Sequence, residues 1–120
     1  MANKETPQLL APLQPEQCVP AAEALARAFR FLGKRWNAVV LGHLSNGPAG
    51  FRDLARAIEG ISDSVLSDRL SDLTAGGLIE RAVDPGPPLA VSYTLTPRGQ
   101  ALIPALEQIA IWAAENLPPE

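Results

Sequence analysis

Hydroxyl, carboxylate and guanidinium side chains crowd residues 60–81 of this 120-residue chain, in the order GISDSVLSDRLSDLTAGGLIER. Ser62, Asp63, Ser64, Ser67, Asp68 and Ser71 are short polar groups that form and accept hydrogen bonds rather than break covalent bonds. Ile61, Leu66, Leu70 and Leu73 recur between them at near-helical spacing, so one face of a helix packs inward and the polar set faces out. An outward face of this kind can bond base edges and phosphates. It also fits the solvated side of a surface helix in any small α+β domain.

Residues suited to covalent or metal chemistry are sparse. Cys18 is the only cysteine and His43 the only histidine. A single cysteine excludes an intramolecular disulfide and a multi-cysteine metal site within one chain, and it fits a reducing cytoplasm. His43 stands inside an apolar run and reads as a packed or interface side chain. Asp68 and Asp72 fall on one helix face four residues apart, most simply as solvated surface. With no glycine-rich phosphate loop and no metal-ligand spacing, neither an enzyme nor a cofactor is expected.

The elements that must position the polar helix can be read outward from it. Ser62 is placed to accept a hydrogen bond from the first turn, and Asp63 complements the positive helix end. Gly76 and Gly77 are expected to supply the left-handed stop. Before it, Phe51, Leu54, Ala55 and Ile58 mark a short amphipathic helix closed by Gly60, and residues 49–51 a short strand. Helix, tight glycine-containing link and helix make the spacing of a helix-turn-helix, whose second helix lies in the major groove. After it, residues 79–83 and 90–95 read as two strands around a stiff Asp84-Pro85-Gly86-Pro87-Pro88 loop, which would be a wing.

Three further segments complete the chain. Residues 1–19 carry Pro7, Pro12 and Pro15 and are expected to be an arm that is flexible or drapes over a partner, leaving 20–117 as the folded domain. Pro20 fits a first helical turn, with Leu25, Phe29 and Leu32 on one stripe and Gly33 as its end. Residues 36–44 form a nearly all-apolar central helix broken by Asn46-Gly47-Pro48. Thr96 caps a last helix with Pro97 at its first position, and Pro104 inside it predicts a kink or a late start. Leu102, Ile103, Leu106, Ile109, Ile111 and Trp112 make this helix too apolar to pack on one side only, so a dimer interface is expected. Phe29, Phe31, Trp36 and Trp112 could line a cleft for a small apolar effector, or serve equally as core.

Composition bounds the rest. A chain that is 47% hydrophobic and 19% charged is an ordinary soluble domain, with no run near the roughly 18 apolar residues of a membrane span. No secretory signal is visible at its start, so a cytoplasmic location is expected. The net charge of −3 argues mildly against nucleic acid, yet it is unevenly spread. Residues 21–60 hold Arg27, Arg30, Lys34, Arg35, Arg52 and Arg56 against three acids, whereas residues 61–120 hold three arginines against eight acids. The first of these stretches could form an electrostatic footprint.

Taken together, the chain resembles an HxlR-type winged helix-turn-helix regulator, a branch close to the MarR regulators. The resemblance spans about residues 24–113. It is carried by Leu32-Gly33-Lys34-Arg35-Trp36, Phe51-Arg52-Asp53-Leu54, Gly60-Ile61-Ser62, Leu66, Leu70-Ser71-Asp72-Leu73, Gly77-Leu78-Ile79-Glu80-Arg81, Tyr93-Thr94-Leu95-Thr96-Pro97-Arg98-Gly99 and Trp112. It implies a mainly α (α+β) fold with a two-stranded wing, in a cytoplasmic homodimer joined by its first and last helices. It further implies binding of palindromic double-stranded DNA and regulation of transcription. Its implied DNA contacts fall on Ser62, Asp63, Ser64 and Ser67, with Arg69 if it points outward, and Arg35, Arg52 and Arg56 alongside.

The chain departs from that pattern where DNA should be touched. Members commonly carry a basic residue where Ser64, Gly50 and Ala90 stand here. Phosphate neutralisation dominates affinity, so these losses lower it. An alternative reading follows: a winged-helix protein-interaction module that has lost operator binding. Many members also sense oxidants through a cysteine near the start of the first helix, a position that falls here near Glu23. Cys18 is a candidate redox sensor from a displaced position, where a helix N-terminus would favour its thiolate.

Overall fold

The computed structural model of the chain describes residues 15–119, with side chains from residue 21 onward. Its elements run α1 (Pro15–Leu32), α2 (Asn37–Leu44), α3 (Phe51–Ala57), α4 (Asp63–Ala75), β1 (Ile79–Asp84), β2 (Ala90–Leu95) and α5 (Pro97–Asn116). They divide into two compact units, Met1–Lys34 and Arg35–Glu120.

In the first unit, α1 is already helical at Pro15, ahead of Pro20. Either proline suits a helix start, because the missing N–H belongs to the first turn where it has no intrahelical acceptor. Residues 15–19, expected in the arm, are therefore helical; residues 1–14 lie outside the described residues. Phe29 is 49% exposed, so it leaves the expected stripe, whose place Leu25, Ala28 and Leu32 take as half-buried residues. Gly33 ends the helix as expected, its N–H donating to the Phe29 carbonyl at 3.0 Å.

The second unit is built on one core. Val40, Leu41 and Leu44 of α2 meet Leu54 and Ile58 around α3, Leu66, Leu70 and Leu73 of α4, and Leu78, Ile79 and Leu95 at the base of the hairpin, all buried. Helix α2 begins one residue past Trp36, and Asn37 in its first turn is buried as well. The expected strand at 49–51 shrinks to one bridge. Ala49 exchanges hydrogen bonds with Tyr93 at 3.1 and 2.8 Å, while Gly50 already serves as the N-cap of α3.

Helix α4 starts and stops by local chemistry. The Ser62 hydroxyl accepts from the Val65 N–H at 3.2 Å, an N-cap bond. At the other end, the Leu78 N–H donates to Leu73 O and the Gly77 N–H to Thr74 O, both at 3.0 Å. Gly77 alone carries the positive φ of this stop, at 79°; Gly76 remains right-handed at −78°. The expectation that both glycines are left-handed is corrected accordingly, since this termination needs only one such residue.

Strands β1 and β2 pair antiparallel from Ile79 opposite Leu95 to Asp84 opposite Ala90. Thr96 caps α5, its hydroxyl accepting from the Gly99 N–H at 3.1 Å. Helix α5 then runs unbroken past Pro104, so the late start does not occur. Apart from Gly99, no residue of α5 is buried, and Ile109, Ile111 and Trp112 are about half exposed.

Candidate nucleic-acid interface

Burial of Leu66, Leu70 and Leu73 fixes the rotation of α4 about its axis. Ser62, Asp63, Ser64, Ser67, Asp68 and Ser71 are consequently all exposed, as the period predicts. Ser64, Ser67 or Asp68, and Ser71 fall three to four residues apart and form a continuous strip down the helix. The Ser62 hydroxyl is already engaged by the Val65 N–H and lies 3.5 Å from the Ser64 hydroxyl.

The expected cations are placed unevenly. Arg52, second in α3, donates from Nη2 to Asp63 Oδ2 at 2.7 Å, and its guanidinium stacks over the Phe51 ring at 5.0 Å. Arg56 Nη2 donates to Asp53 Oδ1 at 2.9 Å. Asp53 Oδ2 also accepts from the Gly50 N–H at 3.3 Å, so one carboxylate caps α3 and holds Arg56. Arg35 is exposed and lies over the Trp36 ring at 4.7 Å, ahead of α2 and off the two helices of the motif.

Arg69 corrects an expectation. Its side chain is only 16% exposed, and Nη2 pairs with Asp72 at 3.0 Å. Position 69 lies on the flank of the Leu66–Leu70–Leu73 face, so its methylene stem packs against the protein. It does not point outward to reach a phosphate.

Sequence reasoning missed the clamp at the far end of α4. Three successive carbonyls of its exit are held by the start of α5: Gly76 O by Arg98 Nη1 at 3.1 Å, Gly77 O by Thr96 Oγ1 at 2.7 Å and Leu78 O by the Thr96 N–H at 3.0 Å. The cap signal of Thr96-Pro97 is local and legible, but its attachment to α4 is a tertiary event. The wing, in turn, carries no lysine or arginine from residue 82 to 92, and Val83 and Leu89 are exposed on it.

The aromatic cleft expected for an effector has its members on separate elements. Phe29 and Phe31 lie on α1, Trp36 ahead of α2 and Trp112 late on α5. Within the second unit, a trough of about 400 Å³ runs between α2 and α5, lined by Val39, Ile103, Leu106, Ile109, Ala110 and Ala113 among others. Neither Trp36 nor Trp112 lines it. Among the described residues, no group of three or more His, Cys, Asp or Glu side chains could hold a metal ion. None of the described helices is long and apolar enough to cross a membrane.

A helix-turn-helix whose second helix exposes a polar strip, followed by a two-stranded hairpin and a long terminal helix, defines a winged helix-turn-helix protein. The comparisons narrow the class. Residues 31–120 match the family model described as HxlR-like helix-turn-helix. An uncharacterized HTH-type transcriptional regulator of Bacillus subtilis (strain 168), YvaP, is 39% identical over 93 residues, which is 78% of this chain and 86% of that protein. The HTH-type transcriptional regulator YodB of the same organism is 38% identical over 92 residues, covering 77% of this chain and 82% of YodB. The solved reduced form of YodB superposes with a TM-score of 0.71 at 33% identity, over 90% of this chain and 98% of that one. The redox regulator HypR in its oxidized form superposes with a TM-score of 0.74 at 26% identity, over 80% and 99% of the two chains. The chain belongs to the HxlR-like helix-turn-helix family, whose members are transcriptional regulators rather than enzymes.

Proposed function

We propose that the chain acts as a cytoplasmic homodimer that binds a palindromic DNA operator and regulates transcription from it. On this reading α4 enters the major groove, with Ser64, Ser67 and Ser71 bonding base edges or phosphates and Arg52, Arg56 and Arg35 facing the backbone. The observation that carries the reading is the exposed polar strip on a helix whose opposite face is locked in the core. The half-exposed apolar residues of α5 support self-association, α5 packing against a second copy with α1 of that copy contributing.

The test is fluorescence anisotropy with duplex from immediately upstream of the protein's own gene and with a scrambled duplex, at two salt concentrations, backed by selection from random DNA. Selective binding that weakens with salt supports the regulator. Failure to enrich any sequence, by folded dimeric protein, refutes it.

Two features favour a second reading, a winged-helix module that binds another protein. Arg52 and Arg56 are each held by an aspartate, and the wing lacks cations from residue 82 to 92. Co-purification of a partner in the absence of DNA is its positive sign. Cys18, the fourth residue of α1, is proposed as an oxidant sensor on the analogy of HypR, a redox regulator by its description, and of YodB, solved in reduced and diamide-treated forms. Equal DNA binding by wild type and Cys18→Ser, with and without a quinone or hypochlorite, would exclude that role.

A further inference from the structure

We propose that Asp63 is a positioning residue that acts as an internal stand-in for phosphate, holding Arg52 until DNA takes its place. This rests on the reading of α3 and α4 as a DNA-binding pair. The two side chains come from the facing starts of the motif's helices: Arg52 is second in α3 and Asp63 first in α4, with Nη2 and Oδ2 2.7 Å apart. Stacking on Phe51 orients the guanidinium, and an arginine has five N–H donors, so a single carboxylate oxygen leaves others to bond.

The pair is also easily exchanged. The two side chains are 60% and 66% exposed, and an ion pair so open to water is weakly held. A DNA phosphodiester carries the same single negative charge as the Asp63 carboxylate and likewise accepts charge-assisted hydrogen bonds from a guanidinium. Exchange therefore costs little in hydrogen bonds but leaves Asp63 uncompensated beside the DNA backbone. Arg52 and Asp63 together contribute almost no net charge to the interface, and the salt dependence of binding is shallower than a count of arginines implies. Arg56 is held in a similar way by Asp53, but Asp53 also caps α3, so its substitution would disturb the fold.

The experiment measures anisotropy at four salt concentrations on a sequence selected by the wild-type protein and on a scrambled duplex. Wild type, Asp63→Asn, Arg52→Gln and the double variant are compared, each first checked by circular dichroism and melting. Asp63→Asn is expected to bind both duplexes roughly fivefold to tenfold more tightly near 0.1 M salt, with a slope steeper by about 0.9. In the Arg52→Gln background the same change is expected to give a clearly smaller gain, limited to the loss of repulsion, because no paired cation remains to be released. An equal gain in both backgrounds would mean simple loss of repulsion and overturn the proposal. Weaker binding confined to the selected sequence would overturn it too, since Asp63 would then be reading a base. Wild-type binding left unchanged by Asp63→Asn overturns this inference alone. A folded, dimeric wild type that binds no duplex removes the DNA reading, and the inference with it.

Discussion

A methyl group added at Gly99 tests how α5 is joined to α4. Glycine to alanine inside a helix ordinarily stabilises it by about 0.5–1 kcal/mol. At Gly99, third in α5 and buried, the new Cβ would overlap the Leu78 carbonyl oxygen and lie 3.2 Å from Leu95 Cδ2. The atom in the way is backbone, so no rotamer change relieves it. Leu78 O is moreover the acceptor for the Thr96 N–H at 3.0 Å, and moving it strains the neighbouring bonds to Gly77 O and Gly76 O. Overpacking costs about 1–3 kcal/mol and a weakened hydrogen bond about 1 more. The clash outweighs the helix gain, for a net loss of about 1–3 kcal/mol. With an unfolding entropy near 0.25 kcal/mol/K for a chain of this length, Tm should fall by about 4–12 °C. The assay is thermal unfolding at matched protein concentration, because self-association makes Tm depend on it. Gly76→Ala is the control: φ is −78° and the added Cβ would meet Asp72 O at 3.4 Å, so Tm should stay within about 2 °C of wild type. A Gly99→Ala protein melting at or above wild type would refute the clamp.

Ser62→Ala removes the N-cap of α4 and should cost about 1 kcal/mol, seen as a Tm lower by about 4 °C; an unchanged Tm would show that the cap contributes nothing. Arg69→Ala should lower Tm by about 4–8 °C through lost packing of its stem while leaving the salt slope of DNA binding unaltered, and a slope shallower by about one would return Arg69 to the phosphate contacts. Ile109→Asp, on the exposed apolar face of α5, should convert the proposed dimer to monomer by sedimentation velocity; a dimer that persists would place self-association elsewhere.

The frame of the motif was legible because its signals are local. Leu66, Leu70 and Leu73 set the inward face of α4, Ser62 and Thr96 cap two helices, and Asp84-Pro85-Gly86 turns between strands; each depends on residues within one turn or hairpin. The flank position of Arg69 was legible as well, since a residue three beyond Leu66 and four before Leu73 borders the buried face. Geometry that depends on distant segments was hidden. Nothing in the Thr96-Pro97-Arg98-Gly99 sequence says that its hydroxyl and guanidinium will hold the exit of α4. Pro20 fits the local rule for a helix start and Pro15 fits it equally, so that rule does not tell how far α1 extends.

Counting charge along the chain does not show how the fold pairs it. Residues 21–60 carry an excess of cations and residues 61–120 an excess of acids, and a footprint was inferred from the first group alone. Folding brings the two groups together: Asp63, counted with the acidic stretch, sits 2.7 Å from Arg52, counted with the basic one. Arg56 and Arg69 are also paired with aspartates at 2.9 and 3.0 Å, so three of the expected phosphate contacts already have a carboxylate partner. A protein that binds DNA with such a surface gains little from counterion release. On the proposed reading, more of its affinity then rests on the uncharged donors of Ser64, Ser67 and Ser71, which act only at hydrogen-bond distance and only in register with a base or phosphate. Contacts of that kind fade slowly with salt and sharply with mismatch. On the proposed reading, this regulator therefore trades affinity for non-specific DNA against discrimination between sites.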